Sequence, residues 1–457
     1  MNTRDAPTVD RLYTIGEGGR RNFLRPASTK GRYTTRRSVI GFLLIALLIV
    51  LPFIELRGYP AIWLDVTGRR FHLFGLTLGP TDSYLLFFLL TSIGFALIVA
   101  SALWGRIWCG YACPQTVFLE QLYRRVERAI EGSRDEQLKL DKAPWSANKL
   151  MRKGGKHALF ILISFALAHL MLCYFVSPRV LFRLMGAGPS AEPAIFVWAV
   201  ALTSVLYFNF SWFREQLCII ICPYGRLQSV LSDKDTVLVG YDAKRGEPRG
   251  KSTPEAKKGD CVDCFRCVAV CPTGIDIRQG LQLECVGCTA CIDACDDVMV
   301  KLHREPGLIR YDSQRSFDGE KKRFLRPRVF VYAAFALAGM VAFSVTALAR
   351  RPFAATIVRQ AGMPYVIDGE VVRNAFVLVA HNPGNDPNTL TMTLDLPPSV
   401  KANVSTKVFA LAAGDDVREP LFLEAPRSHG PFDFVIHVRD DAGRETELKA
   451  RFIAPSP

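Results

Sequence analysis

The chain has 457 residues, a formal charge of +14 and a hydrophobic fraction of 49%, a length that suits about three domains of roughly 150 residues. Its apolar residues gather in runs and its basic residues flank them, which is how membrane topology is set and leaves no basic stripe to serve nucleic acid. Eight of the 13 cysteines fall within Cys261–Cys295, a clustering that argues for metal ligation in a reducing compartment and against a disulfide framework.

The N-terminal segment carries Arg20, Arg21, Arg25, Lys30, Arg32, Arg36 and Arg37. Arg20-Arg21 with Phe23-Leu24 is similar to a twin-arginine export signal, but the apolar stretch starts well downstream and no small-residue cleavage site follows it. The pair therefore reads as a chance basic run ahead of an uncleaved signal anchor. Five stretches approach the about 20 apolar residues that cross a bilayer as helix: 38–53, 83–104, 157–176, 194–212 and 329–348. The connection 105–156 is rich in Lys and Arg, whereas 55–82 has only Arg57, Arg69 and Arg70, and 177–193 only Arg179 and Arg183. The positive-inside rule then places the N-terminus, 105–156 and 214–328 in the cytoplasm, and after five crossings the tail outside.

Two cysteine pairs sit at the cytoplasmic ends of the second and fourth spans, Cys109-Gly110-Tyr111-Ala112-Cys113-Pro114 and Cys218-Ile219-Ile220-Ile221-Cys222-Pro223. Positions i and i+4 share a helix face. Proline disfavours helix for the residue before it, so Cys113 and Cys222 are expected at a helix end or kink, and Pro114 can open a new helix. The stripe Phe118, Leu122, Val126 and Ile130, with Arg124, Arg125 and Arg128 off it, predicts an amphipathic helix lying on the inner leaflet. One such pair reads as buried membrane cysteine. Two, with the same proline at the same depth, read as a redox-coupled metal site, since thiolates select monovalent copper or cluster iron. Cys173 in the third span reads as packing. His157 and His169 do not make a haem pair, and there is no C-x-x-C-H.

Cys261, Cys264, Cys267 and Cys271-Pro272 have the C-x2-C-x2-C-x3-C-P spacing, repeated by Cys285, Cys288, Cys291 and Cys295 with Asp296 in the proline's place. In two-cluster ferredoxins the fourth cysteine of each run ligates the other cluster. One [4Fe-4S] cluster is therefore assigned to Cys261, Cys264, Cys267 and Cys295, the other to Cys271, Cys285, Cys288 and Cys291. A pair of zinc ribbons would not need the third cysteine of each run. Gly274 and Gly287 suit tight turns near the ligands. The insert has no nucleotide fingerprint and no flavin motif, so it reads as a wire or reservoir whose substrate site lies elsewhere.

Beyond Arg350 the pattern changes to strands. Thr389–Leu396 alternates strictly, Phe432, Phe434, Ile436 and Val438 alternate with polar residues, and Asp441-Ala442-Gly443 turns the chain into a return strand with Leu448, Ala450 and Phe452. About 100 residues of short strands suit an Ig-like β-sandwich. His381, His429 and His437 read as solvated rather than as copper ligands. A docking role on a partner protein fits this domain better.

The paired motifs C-G-Y-A-C-P-Q-T and C-I-I-I-C-P-Y-G-R-L-Q-S, the double ferredoxin run, five helices and an outside tail, in this order, resemble the CcoG (FixG/RdxA) family of cytochrome c oxidase accessory proteins over nearly the whole chain. Only the second ferredoxin proline departs. The resemblance implies a cupric reductase acting in copper delivery to cbb3-type cytochrome c oxidase, with copper at Cys109, Cys113, Cys218 and Cys222 and electrons from the clusters. It also implies an immunoglobulin-like tail, and makes a homodimer plausible.

The expected architecture is a membrane protein of the bacterial inner membrane. It has a basic segment 1–37, four transmembrane helices with the paired motifs in 38–213, a cytoplasmic ferredoxin-like α+β insert with two [4Fe-4S] clusters in 214–328, a fifth helix 329–349 and a periplasmic Ig-like β-sandwich 350–457. Besides cupric reduction, two other functions fit: a quinol-linked electron conduit in which the paired motifs are structural, and a non-enzymatic copper-binding assembly chaperone. The electron donor is not named by the sequence.

Overall fold

The structure is a computed structural model that describes residues 21, 23–79, 82–250, 258–349, 353–384, 387–412 and 414–455. It forms two units: the chain up to Ile54 with Phe88–Val341, and Glu55–Phe87 with the chain from Ala342 onward.

Among the described residues, five helices are long and apolar enough to cross a membrane: Arg32–Phe53, Ser83–Trp104, Ala147–Cys173, Pro193–Phe213 and Pro327–Leu348. Two start well before the expected residue, because their first turns are held by caps that hydropathy does not register. The first begins at Arg32 rather than 38, where the N–H groups of Tyr33 and Thr34 donate to the Asp293 carboxylate at 3.2 and 2.6 Å. The third begins at Ala147 rather than 157, where Ser146 accepts from the Lys149 N–H at 3.3 Å. The first, third and fourth spans share a core of Ile45, Phe160, Leu167 and Phe210. The second and fifth meet where Ser92 Oγ donates to the Ala336 carbonyl at 2.7 Å and the Phe95 and Phe335 rings stack.

The helix opened by Pro114 runs through Pro114–Phe118, a π turn Leu119–Tyr123 and Arg124–Glu131. It does not lie on a membrane surface as its stripe predicts. Phe118, Leu122 and Val126 pack onto the core of the spans, and the other face, with Glu120, Arg124, Glu127 and Glu131, is buried as well. Those charges are tolerated because they are paired. Glu127 meets Arg25 and Arg214 at 2.9 and 2.5 Å, Glu131 meets Lys153 and Lys156 at 3.0 and 2.9 Å, and Glu215 meets Arg21 and Arg124 at 2.5 and 3.3 Å. Arg21 and Arg25 are thus not a chance basic run but part of this lattice. Arg20 and Asn22 lie outside the described residues.

After the fourth span, Leu238–Tyr241 pairs antiparallel with Ile309–Asp312. Helix Ala290–Lys301 packs on this ribbon through Ile292 and Met299 against Val239 and Ile309, and the cysteine loops are fixed between them.

In the second unit, Ile62–Asp65, Arg70–Leu73 and Leu76–Leu78 form an antiparallel sheet where the sequence reads as a plain loop. The tail makes two antiparallel sheets. One has the order Lys401–Val404, Asp416–Pro426, Val371–His381, Ala354–Arg359, with Val366–Asp368 beside Val371–His381. The other has the order Val408–Leu411, Asn388–Asp395, Phe432–Asp440, Glu445–Phe452. Alternate residues of both, among them Phe376, Leu378 and Leu423 from one and Leu390, Phe434 and Ile436 from the other, form a single core, the arrangement of a sandwich.

Candidate functional site

The two short motifs fold alike. Ile107–Tyr111 is a helical turn that Cys113 leaves in extended conformation (ψ 125°) before Pro114 opens the next helix. Leu217–Ile221 is a π turn that Cys222 leaves likewise (ψ 112°) before Pro223. In each, the N–H of the second cysteine donates to the carbonyl of the residue preceding the first: Cys113 to Trp108 and Cys222 to Leu217, both at 2.8 Å. The prolines impose this break, since each clashes with a helical residue before it and has a φ already suited to a first turn. Arg106 ties one motif to the other by donating to the Gly225 carbonyl at 2.5 Å.

The consequence is that the Cys109 and Cys218 thiols lie within electrostatic range of each other and of Cys113 and Cys222. Burial pushes the Cys109 and Cys218 thiols up to about 12, so both are protonated near neutral pH.

The eight cysteines of the insert fall into two groups. Cys295 lies close to Cys261, Cys264 and Cys267, and Cys271 close to Cys285, Cys288 and Cys291. Fourth cysteines thus cross between runs. Asp263, Phe265 and Thr289 take left-handed backbone at φ 57°, 56° and 63°, and Gly274 and Gly287 sit at 75° and 65°, so the loops wind tightly around each group. Each group holds four thiols, one for each iron of a cubane. The residues present fit the two clusters.

The paired motifs adjoin the second group. Cys109, Cys218 and Cys291 pack with Val270, Val286, Cys288 and Ala290 in one apolar patch. Two buried cations also reach it: Arg37 donates to the Cys288 carbonyl at 3.2 Å and Arg124 to the Pro272 carbonyl at 3.1 Å. Sequence reasoning assigned Arg37 to topology and Arg124 to a solvated face; neither position carries a local signal of this role.

The remaining candidates have other surroundings. Cys173 is buried among Leu172, Leu181 and Ile195, as packing. His381 and His437 pair with Asp416 and Glu445, each at 2.6 Å, and His429 lies against the Phe432 ring.

Comparison with known proteins matches three segments of the chain. A family described as a 4Fe-4S dicluster domain matches residues 213–314, one described as a 4Fe-4S binding domain matches 85–131, and one described as an IG-like fold at the C-terminal of FixG matches 343–455. The chain is 34% identical to protein RdxA of Cereibacter sphaeroides, over 92% of this chain and 94% of that protein. It is 31% identical to nitrogen fixation protein FixG of Rhizobium meliloti, over 99% of this chain and 94% of that protein. Protein RdxB of Cereibacter sphaeroides is 32% identical, over 80% of each chain.

Proposed function

The chain belongs to the FixG/RdxA family of iron–sulfur electron-transfer proteins, and on that footing we propose that it is a cupric reductase. Cu(II) takes up one electron and becomes Cu(I) at Cys109, Cys113, Cys218 and Cys222. The observation that carries this reading is the gathering of all four thiols beside the second cluster group. Soft thiolates favour the monovalent product. When bound, the two clusters supply single electrons. The chain's own part is to hold the metal ion against the apolar patch that Cys109 and Cys218 share with Cys291. In this proposal the N-terminus and 214–328 face the cytoplasm of a bacterial inner membrane and the tail faces the periplasm, on the Lys and Arg bias. Copper-delivery proteins and a cbb3-type oxidase under assembly are the partners the family resemblance supplies, with homodimerisation as a further proposal.

One observation favours a second reading. The match described as a 4Fe-4S binding domain contains only two cysteines, Cys109 and Cys113. Completed by Cys218 and Cys222, they would hold a third cluster in place of copper. The test is copper reduction together with iron and acid-labile sulfide per chain, before and after Cys109→Ser with Cys113→Ser. Copper reduction lost at constant iron supports the cupric reductase. Iron falling by about a third supports the third cluster and overturns the copper site.

A further inference from the structure

We propose that Arg106 is the positioning residue that couples the second cluster group to the paired-motif thiols: it lies beside both and supplies the positive charge that lets both be anionic at once. The inference deepens the copper reading and rests on it for what the thiols hold.

Arg106 follows the second span, which ends at Trp104, and precedes the turn Ile107–Tyr111. Its guanidinium donates to the Gly225 carbonyl at 2.5 Å. Gly225 in turn packs on the Cys218 carbonyl, which a β-carbon there would approach to 3.1 Å. The Arg106 backbone closes on the cluster loop, its carbonyl oxygen 2.9 Å from where a β-carbon on Gly287 would stand. Arg106 and Cys285 share the wall of one cavity. The cation is within electrostatic range of both Cys109 and Cys285. One side chain thus reaches both paired motifs and a cluster ligand.

What sets Arg106 apart is the lack of a carboxylate. Arg37 and Arg124, the other cations at this patch, are each paired with Glu120, and Arg124 with Glu215 as well. Arg106 is half-buried and makes no ion pair among the described residues; its hydrogen bond is to a neutral carbonyl. Taking a charge out of water without a counter-charge is costly. The two thiol groups are the anions that answer it.

Four thiolates bring one negative charge each, and a monovalent copper ion offsets only one of them. The four thiolates of a cubane likewise outweigh its core. Two such anions against one apolar patch repel strongly, because the dielectric there is low. A cation shared by both offsets the repulsion. A guanidinium offers donors only, so Arg106 binds no metal and acts through Cys109 and Cys285. In the proposed reaction one electron leaves the cluster and Cu(II) becomes Cu(I), with no proton taken from Arg106.

The test uses the full chain with its clusters in nanodiscs, kept anaerobic. Arg106→Gln keeps a donor and loses the charge; Arg106→Lys keeps the charge and loses the fork. An EPR-monitored redox titration without copper reads both cluster potentials, and competition with bicinchoninate reads Cu(I) affinity. In Arg106→Gln the nearer cluster becomes harder to reduce by about tenfold in its equilibrium, the effect of one screened unit charge. The farther cluster holds, and Cu(I) affinity also falls about tenfold. In Arg106→Lys both quantities stay close to the wild type. A merely structural arginine would give the reverse order, since glutamine still donates to a carbonyl. Wild-type values in Arg106→Gln, equal losses in the two variants, or equal shifts of both clusters overturn the proposal. Should Arg106→Gln lose its iron, Arg106→Lys decides, values near the wild type supporting the proposal and losses of about tenfold overturning it. A wild-type protein that binds no Cu(I) removes the copper reading and leaves the nearer cluster's potential in the variants to decide this one. Unchanged Cu(I) affinity in Arg106→Gln, where the wild type binds Cu(I), removes this one alone.

Discussion

Gly110 and Gly287 meet backbone against backbone: a β-carbon on Gly110 would stand 2.4 Å from the Gly287 carbonyl oxygen, and one on Gly287 would stand 2.9 Å from the Arg106 carbonyl oxygen. Neither contact can yield by rotating a side chain. Glycine at both positions is what lets the first paired motif press against the loop between Cys285 and Cys288, and Gly287 also needs its φ of 65°.

Gly110→Ala is therefore expected to push these loops apart. The cost is about 1–3 kcal/mol of stability, as for other overpacked contacts. Thermal melts of the holoprotein measure it. The EPR line shape of the nearer cluster should change while that of the farther one holds.

Glu127 makes the acid limb of stability predictable. Burial pushes its carboxyl up, but Arg214, then Arg25 and Lys156, overcome burial and hold it at about 2, below the usual value of about 4.3. The folded state therefore binds this proton less readily than the unfolded one. Its contribution is complete above about 4.3 and drains away as pH falls towards about 2. Glu127→Gln should cost about 3–5 kcal/mol near neutrality, since it strands buried Arg214 and Arg25. Melts of both proteins across pH should show the gap closing between about pH 4 and pH 2. A gap constant with pH would mean that the carboxylate charge is not what Arg214 and Arg25 require.

Arg37 donates to the Cys288 carbonyl from a buried position. A cation there favours the more negative, reduced form of the adjoining cluster. Arg37→Gln should lower that cluster's reduction potential by tens of millivolts, on the order of the interaction of one screened unit charge, and leave the other cluster nearly unmoved. An EPR-monitored redox titration reads both potentials.

Gly339 faces Phe88 and Ser92, where a β-carbon would lie 3.3 Å from the Phe88 carbonyl oxygen and from Ser92 Cβ. Gly339→Leu should separate the second and fifth spans and cost about 1–3 kcal/mol. Ser92→Ala, which loses only the bond to Ala336, should cost about 0.6 kcal/mol. Unfolding in mixed micelles ranks the two. Equal effects would show that close backbone approach does not hold this pair.

Much of this architecture is legible in the chain itself, for reasons that differ by region. The spans declare themselves by apolar length, and the tail strands by alternation such as Phe432, Phe434, Ile436, Val438. The breaks at Cys113 and Cys222 follow from the proline after each. What the sequence hides is pairing at long range. Glu120, Glu127 and Glu131 look like the wet face of a surface helix until Arg37, Arg25 and Arg214, each from a distant segment, are brought onto them. Asp293 as a cap for the helix at Arg32 is hidden for the same reason. Hydropathy averages over windows, and these features depend on single side chains meeting once the chain has folded.

The four sulfurs of the paired motifs come half from the loop after the second span and half from the loop after the fourth. A ribosome that has threaded only the first half into the bilayer has made two thiols and no complete chelate. The proposed copper site is therefore complete only once the fourth span has been made, and a chain stalled between Cys113 and Cys218 would carry half of it.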